Sequence, residues 1–233
     1  MKRPATSATR ITASVVGGYA GLLGAVHGCF EILQGDVVPG GIGIEAIGPP
    51  CQADVVWHAC LPAMTVVPHM RATGVLAVLI SLMALLWAVV ASERRRGGLV
   101  LILLSILVLL FGGGFVSTFT GIIAGVAGTR IGAPPAIFRA RYFRLLAGLW
   151  PWSVVAFVAW SGGGWILGKF FNQAMIDLGF ILFFCCNLGL PLLAVLTGFV
   201  RDARSGERAG LAQRGSGSRL SAQAVQLTTE EDA

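Results

Sequence analysis

The feature that most constrains this chain is a series of five long apolar stretches separated by short polar or basic segments. They cover residues 11–34, 72–92, 99–129, 145–160 and 177–200. A helix needs about 20 residues to cross the hydrocarbon core of a bilayer. Only 12% of the residues are charged, whereas an ordinary soluble domain carries about a quarter. The pattern argues against a soluble enzyme, a disordered chain or a disulfide scaffold, and it predicts an all-α, polytopic helical bundle in a membrane.

The third apolar stretch, residues 99–129, is too long for one simple span, since at 1.5 Å per residue it would reach roughly 46 Å. Three consecutive glycines, Gly112, Gly113 and Gly114, stand near its middle. Glycine destabilises a helix interior by about 1 kcal/mol relative to alanine. The stretch is therefore either one long tilted helix or a hairpin with legs 99–111 and 115–129.

The distribution of cations favours the hairpin, because cytoplasmic loops carry an excess of Lys and Arg. With the hairpin, all of the 17 Lys and Arg residues except Arg71 and Lys169 fall on the cytoplasmic side. With a single span, most of them would lie outside. We therefore predict a plasma-membrane protein with four full spans, a short central hairpin and both termini in the cytoplasm. The net charge of +6 then belongs to the membrane interface, and no nucleic-acid partner is expected.

These spans divide the chain into three parts. Residues 1–10 form a cytoplasmic N-terminus followed by an uncleaved first helix, because the apolar run after them is too long for a signal peptide. Residues 11–200 form the transmembrane domain, with outer loops at 35–70 and about 161–176. The first of these loops is rich in Gly and Pro, which is typical of an ordered cap with many turns. Residues 201–233 are polar and are expected to form a disordered tail.

Two of the five cysteines, Cys51 and Cys60, fall in the outer loop 35–70. Because the outside of the membrane is oxidising, we predict that they form a disulfide. The alternative is a metal site made by Cys51, His58, Cys60 and His69, although the spacing lacks a metal-binding cadence. The other three cysteines lie in predicted helices and are expected to act as small apolar residues.

Ionisable residues inside a membrane are candidates for function. The predicted topology places five of them in one outer-leaflet layer: His27, Glu31, His69, Arg71 and Asp177. A buried carboxylate stays protonated or finds a cation, because an unpaired buried charge is costly. We therefore expect Glu31 to contact Arg71, or His69 beside it. The alternatives are that His27 and Glu31, one helical turn apart, relay protons or ligate a haem or a metal.

Small residues at four-residue spacing, Gly17, Gly21, Ala25 and Cys29, are interpreted as a packing strip of the first helix, as are Gly121 and Gly125 in the hairpin. Trp150 and Trp165 are expected to anchor the fourth segment at its two interfaces. A pocket for a chromophore or quinone among the tryptophans is the less favoured alternative.

No catalytic or nucleotide-binding motif is present in the sequence. We therefore predict a non-enzymatic integral membrane protein, most simply an accessory or scaffold subunit that binds a protein partner within the bilayer. The alternatives are a conduit for a small solute or ion, and an intramembrane redox or metal-dependent enzyme using His27 and Glu31. No cofactor is predicted, apart from the haem or metal that the last alternative would require.

Overall fold

The computed structural model describes residues 7–47, 57, 61–139, 143 and 145–207. The chain is mostly helical, which confirms the predicted all-α class. In chain order the elements are α1 (Ala8–Gln34), β1 (Gly43–Ile47), β2 (Leu61–Met64), α2 (Met70–Val90), α3 (Gly97–Leu110), α4 (Phe115–Thr129), a 3₁₀ turn (Ala136–Arg139), α5 (Leu146–Phe170), α6 (Asn172–Asp177), α7 (Gly179–Leu182) and α8 (Cys185–Glu207), which begins within a π-helical stretch (Phe183–Gly189).

The surface of these helices is apolar. Helices α1, α2 and α8 are long and apolar enough to cross a membrane, and α3 and α4 are shorter apolar helices. Along α2, the exposed side chains Leu79, Met83, Leu86 and Val90 follow one face of the helix. A soluble protein would bury such a face, so these helices are those of a membrane protein.

Small residues hold α1 against α2. A Cβ atom on Gly17, Gly21, Gly24 or Gly28 would collide with α2. The predicted strip of exact four-residue steps holds as far as Ala25, which is buried, and is wrong at Cys29, which is exposed. Each four-residue step advances about 40° beyond a full turn of the helix. The observed steps of four, three and four keep the glycines on one face.

The third apolar stretch is broken at the three glycines, as predicted. Helices α3 and α4 lie antiparallel, because Gly98 at the start of α3 contacts Gly125 and Gly128 near the end of α4. Closer to the turn, Gly121 packs against Ser105. The glycines of α4 thus pack inside the bundle.

Helix α5 differs from the prediction, because it continues through Gly162, Gly163 and Gly164 to Phe170 where an outer loop was expected. Gly168 explains part of this difference, since a Cβ there would overlap the ring of Trp57. In this helix, glycine makes space for the side chain of Trp57 and does not produce a turn. The last helix likewise continues to Glu207, seven residues into the predicted tail, and residues 208–233 lie outside the described part of the chain.

The start of α1 and the last turns of α8 meet at one end of the bundle, which we call the basic end. The Asp202 carboxylate of α8 accepts hydrogen bonds from the Ser7 hydroxyl at 2.6 Å and from the N–H groups of Ala8 and Thr9 at 2.8 and 2.9 Å. These N–H groups have no partner within their own helix, so Asp202 caps α1. Arg10 also pairs with Glu93 at 3.1 Å, beyond the end of α2.

The opposite end, which we call the strand end, carries the antiparallel pair β1–β2. Ile44, Ala63 and Met70 form a small apolar cluster beneath these strands. The Val66 N–H donates to the Leu110 carbonyl at 3.0 Å, which ties the segment after β2 to the end of α3. The turn at Gly112–Gly114 therefore lies at the strand end.

Candidate functional site

The side chains of His27 and Glu31 lie against the glycine turn between α3 and α4. A Cβ atom on Gly112 would overlap the Glu31 carboxyl group, and one on Gly114 would overlap the His27 ring. Gly112 and Gly114 also have φ angles of 95° and 81°, a region that favours glycine. The glycines therefore permit both the turn and the close approach of the two polar side chains.

The turn itself satisfies the last carbonyl groups of α3. The Gly113 N–H donates to the Val108 carbonyl at 2.8 Å and the Gly112 N–H to the Leu109 carbonyl at 3.4 Å, which is the Schellman pattern of a helix C-terminus. Since Val66 occupies the Leu110 carbonyl, these three carbonyls already have donors.

His27 and Glu31 are almost completely buried, at 2% and 0% exposure. Neither ring nitrogen of His27 and neither carboxyl oxygen of Glu31 has a hydrogen-bond partner among the described residues. Buried polar groups are nearly always hydrogen-bonded, and an unpaired one costs about 1–3 kcal/mol. The pair is therefore an unusual chemical feature of the bundle.

A cavity of about 480 Å³ opens beside His27. Six of its seventeen lining residues are Phe, Tyr or Trp, and they come from α1, α4, α5 and the segment between β1 and β2: Tyr19, Phe115, Phe119, Trp160, Trp165 and Trp57. The π-helical stretch contributes Asn187, and such stretches are frequent at functional sites. His27 is the member of this lining whose polar atoms are both buried and unpartnered in the described structure.

Trp57 closes one side of the cavity. Its backbone N–H donates to Asn172 Oδ1 of α6 at 2.8 Å, and its ring packs against Gly164 and Gly168 of α5. The segment between β1 and β2 thus inserts a large aromatic side chain beside helices that sequence reasoning did not bring together. The only sequence signal was the concentration of tryptophan and glycine in α5.

The five predicted site residues do not form one cluster. Arg71 Nη1 pairs with Asp36 Oδ2 at 3.0 Å, and His69 Nε2 lies 3.5 Å from Asp36 Oδ1. The predicted contact of Glu31 with Arg71 or His69 is therefore wrong. Arg71 lies in the first turn of α2 at the surface, where its side chain is 56% exposed. Asp36, just beyond the end of α1, pairs with Arg71 there and is itself exposed. Sequence reasoning missed Asp36 because it belongs to a loop.

Asp177 is separate from His27 and Glu31 and from the ion pair of Arg71 with Asp36. It ends α6, and its Oδ1 accepts a hydrogen bond from Gln173 Nε2 at 3.0 Å on the exposed side of that helix. The local bond explains the position of Asp177 without any contact to α1.

The cysteine and metal predictions are affected differently. Cys51, His58 and Cys60 lie outside the described residues, so the disulfide and the alternative metal site in this loop stay predictions. Within the described ranges, no three His, Cys, Asp or Glu side chains come together as a metal site would require. His27 and Glu31 therefore supply two ligands at most.

The tryptophans of α5 have distinct environments. Trp150 Nε1 donates to Thr12 Oγ1 at 2.9 Å, and the Arg201 guanidinium lies 5.4 Å from the ring centre, so this side chain joins helices at the basic end. Trp160 and Trp165 instead line the cavity. The wall that they form favours a ligand pocket among the tryptophans, which is the less favoured alternative from sequence.

The comparisons add no relative to this description: no family model, no curated protein and no solved structure matches the chain. The site is therefore the basis on which a function can be proposed.

Proposed function

We propose that this protein is a multi-pass plasma-membrane protein that binds a small apolar molecule in the aromatic cavity next to His27. The observation that carries the proposal is the cavity itself, which has the size and apolar lining typical of small-molecule sites and an unpartnered polar group at its wall. Ligand sites in helical bundles lie between facing helices in the same way.

In the proposed topology, α1, α2, α5 and α8 are the four full spans and α3–α4 is the short central hairpin. The lipid-facing apolar side chains support this arrangement. So does the joint between Ser7 and Asp202, because it requires the first and last helices to meet at the same side of the membrane. The cations near this end, including Arg94, Arg95 and Arg96, favour the cytoplasm for it. The cavity then lies towards the outer leaflet.

The topology is tested by reporter fusions after Ala136 and after Ala233. Both fusions should report a cytoplasmic location. An external signal at Ala136 would contradict the hairpin topology, because only a single long span would place the 3₁₀ turn outside.

The binding function is tested by filling the cavity. Val116 lines the cavity, whereas Val126 on the same helix is exposed. The protein is purified from native membranes and its bound small molecules are identified by mass spectrometry. We expect a molecule that is retained by wild type and by Val126→Trp and lost from Val116→Trp. Equal retention by the two variants, or no retained molecule in wild type, would contradict the proposal.

The prediction of an accessory or scaffold subunit remains open beside this proposal, since a ligand-binding subunit can also belong to a complex. Co-purification of a stable protein partner from the same native membranes is the measurement that decides it.

A further inference from the structure

We infer that the cavity binds a neutral ring compound with a carbonyl oxygen, of the quinone type, and that the His27 N–H donates a hydrogen bond to that oxygen. The inference rests on the proposed binding function and identifies the class of ligand. The site that carries it is a buried imidazole at the wall of an aromatic cavity, with two nitrogen atoms that have no hydrogen-bond partner among the described residues.

The aromatic wall favours a ring over an acyl chain. Side chains from α1, α4, α5 and the segment between β1 and β2 present ring surfaces to the same space. Among them, Phe115 and Phe119 lie nearly parallel, with ring centres 6.5 Å apart. Pairs of aromatic rings contribute about 0.5–1.5 kcal/mol beyond the area that they bury. A flat ligand gains this contribution on more than one side.

Several other polar atoms at the wall already have partners, whereas both ring nitrogens of His27 are buried and have none among the described residues, which directs the polar atom of the ligand to His27. Trp160 Nε1 donates to Asn187 Oδ1 at 3.2 Å, and the Tyr19 hydroxyl is hydrogen-bonded to Ser161 and Trp165. A neutral imidazole has one donor and one acceptor nitrogen, and both are unpartnered here within the described residues. A ligand carbonyl satisfies the donor.

The ligand is expected to be neutral. The residues that line the cavity include no Asp, Glu, Lys or Arg in the described part of the chain, so a charged ligand would be buried without a counter-ion at high cost. Glu31 does not line the cavity and lies against Gly112 instead. A carbonyl is therefore a better match for His27 than a carboxylate or an ammonium group.

The test compares two probes that differ only in ring oxygens. Menadione and 2-methylnaphthalene share the fused rings and the methyl group, but only menadione has carbonyl oxygens. Binding of each probe to the full-length protein in phosphatidylcholine nanodiscs is measured by equilibrium dialysis, and empty nanodiscs correct for partition into lipid. We expect saturable binding of both, with menadione about tenfold tighter, which is the effect of one hydrogen bond.

Variants assign the preference to His27. His27→Phe should bind both probes equally, whereas His27→Gln keeps an N–H donor and should retain part of the preference. His69→Phe is the matched control, because His69 lies at the surface beside Asp36 and does not line the cavity, and it should keep the tenfold ratio. Thermal unfolding of each variant shows whether it is folded, and His27→Gln decides the question if His27→Phe does not fold.

Equal affinity of wild type for the two probes, or an unchanged ratio in folded His27→Phe or His27→Gln, would overturn the inference. Failure of both probes to saturate would overturn it as well. None of these results tests the proposed binding function itself, which the comparison of Val116→Trp with Val126→Trp decides independently. A molecule retained by wild type but without a ring carbonyl would likewise contradict the ligand class alone.

Discussion

The carboxyl groups at the two ends of α1, those of Asp202 and Glu31, have opposite environments. At the start of α1, the Ser7 hydroxyl and the N–H groups of Ala8 and Thr9 all donate to the Asp202 carboxylate. Towards its end, His27 and Glu31 are almost completely buried and have no hydrogen-bond partner among the described residues. The first arrangement is a structural joint, since its groups satisfy one another. The second leaves hydrogen-bonding capacity unused beside a cavity, which is what a ligand site needs.

The largest expected effect comes from the glycine turn that shapes the His27 environment. Gly114→Ala forces a side chain into a backbone with positive φ and into contact with the His27 ring. We expect a loss of about 2–4 kcal/mol in the free energy of unfolding, measured by denaturant or thermal unfolding in detergent.

The matched control for the turn is Gly162→Ala in α5, where a Cβ meets no atom within 4 Å. Alanine is the better helix former, so this variant should be as stable as wild type or slightly more stable. If Gly114→Ala behaved like Gly162→Ala, the close packing of His27 on the turn would be disproved.

A somewhat smaller effect is expected at the joint. Asp202→Ala leaves the Ser7 hydroxyl and two helix N–H groups without their acceptor, and should lower the free energy of unfolding by about 1–3 kcal/mol. Glu207→Ala, an exposed change on the same helix, should alter it by no more than about 0.5 kcal/mol. Similar effects of the two changes would show that the cap does not join the helices.

The smallest effect is expected for the ion pair of Arg71 with Asp36, which the structure shows where sequence predicted a contact between Glu31 and Arg71. Arg71 and Asp36 are both exposed by more than half, so a double-mutant cycle with Arg71→Gln and Asp36→Asn should give a coupling energy of about 0–1 kcal/mol. The cycle of Arg71→Gln with Glu31→Gln should be additive. A coupling between Arg71 and Glu31 larger than that between Arg71 and Asp36 would restore the ion pair inferred from sequence.

What sequence alone could predict was local. The apolar stretches predicted the helices because each helix satisfies its own backbone, and the three glycines at 112–114 predicted a break because glycine destabilises a helix interior. Even so, the same reasoning failed at Gly162–Gly164, where the helix continues. Glycine allows a turn or a close contact, and only the presence of Trp57 beside α5 decided between them.

Tertiary structure decided which side chains meet. Depth along the helices was readable from sequence and put His27, Glu31 and Arg71 in one layer, but lateral position depends on how whole helix faces pack. Glycine contacts rotate α1 so that His27 and Glu31 face the α3–α4 turn, while Arg71 at the start of α2 reaches Asp36 instead. The aromatic cavity likewise requires α1, α4, α5 and Trp57 at once, and no single stretch of sequence contains that arrangement.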